Sequence, residues 1–120
     1  MKQRGGGSII NISSIGGLRA EAGTGIYSVS KAAIINLTRA MAQDWAPDNI
    51  RVNAICPGLI RTRCSEALWQ NEAILQRFST TYRRAGEPED VAGLAVFPAS
   101  PAAAYRSGGV YMVDGGYSAI

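Results

Sequence analysis

Tyr27 and Lys31 stand four positions apart in a stretch rich in helix formers, so both face one side of a helix. A phenol titrates near pH 10 and is a poor proton donor or acceptor at neutral pH. A lysine ammonium one turn away favours the phenolate, and so does the positive end of a helix dipole. Such a pair makes tyrosine usable in proton transfer. By itself the spacing says little, because Tyr and Lys four apart line many solvated helix faces. Ser14 changes the reading. It lies thirteen residues before Tyr27, at the carboxyl end of a predicted strand, where open α/β folds gather catalytic groups. Its hydroxyl can hydrogen-bond a carbonyl oxygen while the tyrosine supplies a proton. The plain alternative is a loop serine capping its own backbone.

Composition removes other chemistries. The 120 residues contain no histidine, which excludes His-based triads, His-zinc sites and imidazole relays. Cys56 and Cys64 form no CxxC, so neither a zinc cluster nor a disulfide scaffold is expected, and no metal site. Twelve basic against nine acidic residues leave a net charge of +3, and the basic residues are scattered. A nucleic-acid footprint is therefore not expected. No apolar run is long enough to cross a membrane. Asn11-Ile12-Ser13 and Asn36-Leu37-Thr38 match the glycosylation pattern but lie inside periodic segments and read as chance. With no secretory leader after Met1, a reducing cytoplasm is the expected compartment. Hydrophobic residues at 47% and charged residues at 18% suit one globular domain over 1–120.

The elements that must position these residues follow from periodicity. Gly5-Gly6-Gly7 after a short basic stretch has the signature of a helix end. Ser8 to Ser13 reads as a buried strand, and Ser14 to Gly25 as a loop. A long helix is predicted from about Ile26 to Trp45, stopped by Pro47. Ile50 to Cys56 is the second strand, ended by Pro57-Gly58. One or two looser helices are predicted over Cys64 to Arg84. Gly86-Glu87-Pro88-Glu89-Asp90 starts a helix that should end at Phe97, before Pro98. Val110 to Val113 is the third strand. Strands alternating with helices imply right-handed crossovers and a parallel sheet. The fold class is α/β, an incomplete doubly wound, Rossmann-like sheet of about three strands with flanking helices. Such a sheet leaves both edges bare, and a poorly closed core is expected.

Five ordered motifs resemble the short-chain dehydrogenase/reductase (SDR) family. They are Asn11-Ile12-Ser13-Ser14, Tyr27-Ser28-Val29-Ser30-Lys31, Asn53-Ala54-Ile55-Cys56-Pro57-Gly58, Glu87-Pro88-Glu89-Asp90-Val91-Ala92 and Val113-Asp114-Gly115-Gly116. The resemblance runs from Gly5 to the C-terminus and covers the carboxyl-terminal half of such a domain, the catalytic and nicotinamide side. It implies an NAD(P)-dependent oxidoreductase that moves hydride between a nicotinamide and a carbonyl or alcohol substrate. Tyr27 would be the general acid/base, Lys31 would assist it and bind the nicotinamide ribose, and Ser14 would polarise the carbonyl. Pro57 and Gly58 would let the backbone approach the nicotinamide, and Ile60, through its backbone, and Thr62 would hold the carboxamide. A homo-oligomer is expected, and a small-molecule carbonyl or alcohol as substrate.

The family's Gly-rich phosphate-binding turn has no equivalent in the sequence. Gly5-Gly6-Gly7 precedes a strand rather than following one, and Gly23-Thr24-Gly25 lacks a third glycine. The residue that selects NAD or NADP has no equivalent either, so the choice between them stays open. The family's fourth catalytic residue, an asparagine, would lie upstream of Met1, which would then be an internal position. Leu68, Trp69, Ile74, Leu75 and Phe78 could line an apolar substrate pocket or simply pack helices onto the sheet. The expectation is a truncated, poorly active oxidoreductase. The alternative is a non-enzymatic remnant that binds proteins through its exposed sheet edges.

Overall fold

The computed structural model describes residues 1–78 and 82–119. Ile50–Pro57 forms β2, the central strand, and six of its eight residues are buried. That near-continuous burial is what a parallel strand covered on both faces requires. β1 (Gly7–Ile12) and β3 (Val110–Val113) flank it, giving the sheet order β1-β2-β3. Both pairings are parallel, with Ile12 opposite Ile55 and Ala54 opposite Val110. The three-stranded parallel sheet with flanking helices is therefore as expected. The opening residues Lys2–Arg4 make one 3₁₀ turn, which Gly5 ends in the left-handed region.

α1 (Gly25–Asp44) crosses from β1 to β2, and Ser28, Ile35, Thr38 and Ala42 give it a buried face. The segment between β2 and β3 holds α2 (Glu66–Trp69), α3 (Glu72–Phe78) and α4 (Pro88–Ala99). Part of the helical stretch expected over Cys64 to Arg84, residues 79–81, lies outside the described residues. α4 begins with Pro88 at its first turn, as expected.

α4 does not stop at Phe97. It continues through Pro98 to Ala99. A proline removes one backbone donor, but near the last residue of a helix little remains to be broken. The freed end is held from outside. The Pro98 carbonyl accepts the Ser8 hydroxyl at 2.7 Å and the Arg51 guanidinium at 2.8 Å, and Arg51 also reaches the Ser100 carbonyl.

The core is two small clusters rather than one. Ile15, Ile35 and Cys56 form the first, with Phe78, Val110 and Tyr117 packed against it. Ala42, Ile50 and Val52 form the second, with Ile9 and Met41. The molecule measures 49 × 27 × 27 Å with a radius of gyration of 15.4 Å. A compact chain of this length would have about 14 Å. The chain is thus more elongated than a compact domain of its length. Asn53, fully buried in β2, donates to the Arg106 carbonyl and accepts the Gly109 amide, both at 3.0 Å, and so ties the approach to β3 onto the sheet.

Candidate active site

The chain leaves β1 at Ile12 and keeps the ladder for one more residue, the Ser13 amide donating to the Ile55 carbonyl at 2.8 Å. Ser14 is extended and buried, and its hydroxyl accepts the Gly16 amide at 3.1 Å. The loop-capping role weighed for Ser14 is therefore real. It uses the oxygen as acceptor and leaves the hydroxyl proton free to donate.

Ile15–Gly17 makes a 3₁₀ turn that lies directly on α1. A Cβ on Gly17 would stand 2.6 Å from the Lys31 carbonyl carbon, so only glycine permits this contact. A Cβ on Gly16 would stand 3.5 Å from Ser14 Oγ and 3.6 Å from Tyr27 Cε1. The serine hydroxyl and the tyrosine ring edge thus both lie against Gly16, with Ser28 Oγ as near as Ser14 Oγ. The Ser13 hydroxyl donates to the Lys31 carbonyl at 2.7 Å, pinning the loop to α1 a second time.

Tyr27 lies in the first turn of α1, close to the helix's free amides, and is 51% exposed. Lys31 Nζ lies 5.6 Å from the centre of the Tyr27 ring and 3.4 Å from the Ile12 carbonyl. The start of α1 is braced by Thr24, whose hydroxyl pairs with that of Ser28 at 2.7 Å and donates to the Glu21 carbonyl. Beneath lies the Cys56 thiol. Burial pushes it up, against the Ser13 and Ser14 hydrogen bonds and the Lys31 charge, so it stays protonated at neutral pH.

The second group of expected site residues follows β2. Parallel pairing puts the ends of β1 and β2 at one edge of the sheet, so Ser14 and Pro57 share that edge. The Gly58 amide donates to the Val113 carbonyl at 2.9 Å, and a Cβ there would stand 2.9 Å from Asp114 Cβ. Gly58 therefore has a packing reason of its own against the end of β3. Ile60 bridges Gly86, and its carbonyl accepts the Ser65 hydroxyl. Its amide donates to no described residue. The Thr62 hydroxyl pairs with that of Ser65 at 2.9 Å, and Trp69 Nε1 donates to the Thr62 carbonyl at 3.1 Å. Leu68 is exposed, and Trp69, Ile74, Leu75 and Phe78 are half-buried.

A cleft of about 390 Å³ opens between Ile60, Phe78, Arg84, Met112 and Asp114. It does not include Ser14, Tyr27 or Lys31. Its charged walls are already paired: Arg84 grips Asp90 with two hydrogen bonds, and Asp114 accepts the Gly116 and Ser118 amides. The Arg84 guanidinium and the Glu87 amide hold the Asp90 carboxyl down at about 2.

Sequence reasoning missed one polar cluster beside the site. The Glu21 carboxylate accepts the Arg77 guanidinium on one oxygen and the Tyr117 hydroxyl, at 2.9 Å, on the other. No pattern signals it, because its partners lie 56 and 96 positions away. Among the described residues no helix is long and apolar enough to cross a membrane, and no group of three acidic or cysteine residues could hold a metal.

A protein-family model described as Enoyl-(Acyl carrier protein) reductase matches residues 1–118. "Dehydrogenase/reductase SDR family member 4" of Sus scrofa is 43% identical over 118 residues, 97% of this chain and 42% of that protein. The chain spans less than half the length of the curated relatives it matches. A 7α-hydroxysteroid dehydrogenase, solved with NADH and 7-oxo glycochenodeoxycholic acid, superposes with a TM-score of 0.91 at 39% identity, over 97% of this chain and 46% of that one. A gluconate 5-dehydrogenase from Burkholderia cenocepacia J2315, solved with NADP and tartrate, superposes with a TM-score of 0.95 at 32% identity, over 99% and 48%.

Proposed function

This chain belongs to the short-chain dehydrogenase/reductase family, and on that premise we propose that it supplies the proton-transfer half of an NAD(P)-dependent carbonyl reduction or alcohol oxidation. The observation that carries the reading is that Ser14 Oγ and the Tyr27 ring edge both lie against Gly16, with Lys31 one turn along α1. A carbonyl oxygen held between the two side chains takes a hydrogen bond from the Ser14 hydroxyl, which donates to no described residue. Tyr27 Oη gives the same oxygen its proton in reduction and removes it in oxidation. The Lys31 ammonium stabilises the phenolate left behind, helped by the amides at the start of α1.

A bound nicotinamide dinucleotide would supply or accept the hydride. The donor set fits its nicotinamide end. Lys31 carries spare N–H groups for ribose hydroxyls, and the Ile60 amide, which donates to no described residue, can meet a carboxamide oxygen beside Pro57, Gly58 and the Thr62 hydroxyl. These 120 residues contain no glycine-rich strand-to-helix turn for the pyrophosphate, so the choice of NAD or NADP rests on groups outside them. We read the chain as one domain's catalytic half, acting on a small carbonyl or alcohol in the cytoplasm. Ile26, Val29 and Leu37 leave an exposed apolar stripe on α1, which suits assembly with further copies. The deciding experiment, in a preparation that binds the cofactor, is carbonyl-dependent NAD(P)H oxidation, which Tyr27→Phe should abolish.

One observation favours a second reading. β1 and β3 each pair on one side only, so both sheet edges present free backbone groups. A chain of these residues alone would then act by strand pairing with a partner protein. Partner capture that survives Tyr27→Phe, without turnover, would favour it.

A further inference from the structure

We propose that Glu21 is a positioning residue: its carboxylate ties α3 and the C-terminal turn to the loop that carries Ser14, and so fixes one wall of the substrate space. The inference rests on the function proposed above. It starts from α3, which has no fully buried residue and packs on the core through Phe78 at its end. Its last residues are gripped as well. Arg77 pairs with one Glu21 oxygen while the other accepts the Tyr117 hydroxyl, and the Phe78 and Tyr117 rings stack with centroids 4.9 Å apart. Both rings pack against the cluster of Ile15, Ile35 and Cys56, and Ile15 adjoins Ser14. Phe78 also walls the cleft beside Ile60.

The geometry makes Glu21 the joint of three segments far apart in sequence. Its side chain is only 10% exposed, so the charge needs its partners. Burial raises the Tyr117 phenol above its ordinary value, and the Glu21 carboxylate acts the same way, so Tyr117 remains the donor. A segment with few buried contacts opens locally at small free-energy cost, and a single polar joint then governs how often it does so.

The test is hydrogen exchange of the α3 amides in the unaltered protein, Glu21→Gln, Arg77→Met and the double variant. Either single change should speed exchange by about tenfold, and the double variant should add little, because both remove one interaction. Salt at about 0.5 M should speed exchange in the unaltered protein and not in the variants. Unchanged exchange in both single variants would overturn the tie. In turnover assays Glu21→Gln should raise KM severalfold with kcat within about twofold. A fall in kcat at constant KM would overturn the positioning role. Tyr27→Phe should lose turnover yet leave α3 exchange untouched. The turnover assays need a preparation that binds NAD(P)H, and absence of turnover there counts against the proposed function alone, since the exchange rates still decide the tie.

Discussion

The Lys31 ammonium lies 5.6 Å from the centre of the Tyr27 ring, a separation set within a single turn of α1. Helical spacing keeps the two side chains on one face and within reach of each other. In any preparation that reduces carbonyls, Tyr27→Phe should lower kcat by about 10²-fold or more, the usual worth of a placed proton donor. Lys31→Met should lower it as well while α1 stays folded, as circular dichroism would report. Turnover that survives Tyr27→Phe would defeat the assignment.

The Gly17 contact should be intolerant of a methyl group. Gly17→Ala would force a Cβ into the α1 backbone at Lys31 and Ala32. Backbone cannot yield as a side-chain end can, so a loss of about 1–3 kcal/mol is expected, read from urea unfolding. Unchanged stability would mean that the loop does not sit on α1.

Asn53 holds two backbone groups at once. Asn53→Leu would fill the space and leave the Arg106 carbonyl and the Gly109 amide without their partner. Two unmet groups should destabilise the chain by about 2–4 kcal/mol. A cost well under 1 kcal/mol would show that water replaces the side chain.

Asp90 predicts an acid limb to stability. Its carboxyl is held at about 2 in the folded chain, against an ordinary value of 3.8. The unfolded chain takes up that proton first as pH falls, so the contribution is whole above about pH 4 and is lost on the way down to about pH 2. Asp90→Asn should flatten the melting temperature across that window. An equally steep loss in the variant would assign the acid limb to other carboxylates.

A polypeptide of these 120 residues alone should bind NADH and NADPH too weakly for useful turnover. Its groups address the nicotinamide end only, and nothing in the sequence cradles a pyrophosphate. Calorimetry is the direct measurement. Micromolar binding by a stable monomer, with turnover that depends on Tyr27, would show that these residues suffice.

The fold was legible where periodicity and punctuation agree. Val110–Val113 is the third strand as expected, and α1 begins and ends within a residue of the expected bounds. Pro98 misled because a proline rule read from sequence assumes that the helix must hold its own end. Here Ser8 and Arg51 hold it from the sheet. The Tyr27–Lys31 pair was legible because it is local. The Glu21–Arg77–Tyr117 joint was not, since three polar residues in a loop, a helix end and a turn share no period.

The sheet is made wholly of distant pairings. Arg51 reaches Pro98 across 47 positions, and Asn53 holds Gly109 across 56. A chain that gains its order this way folds slowly, because each long loop must close before any contact rewards it. While β2 waits for α4 and β3 to arrive, Val52, Ile55 and Cys56 are uncovered. The yield of soluble chain on expression is then set by the length of that wait, so lower temperature or a chaperone that shields β2 should raise it more than any change to the finished fold.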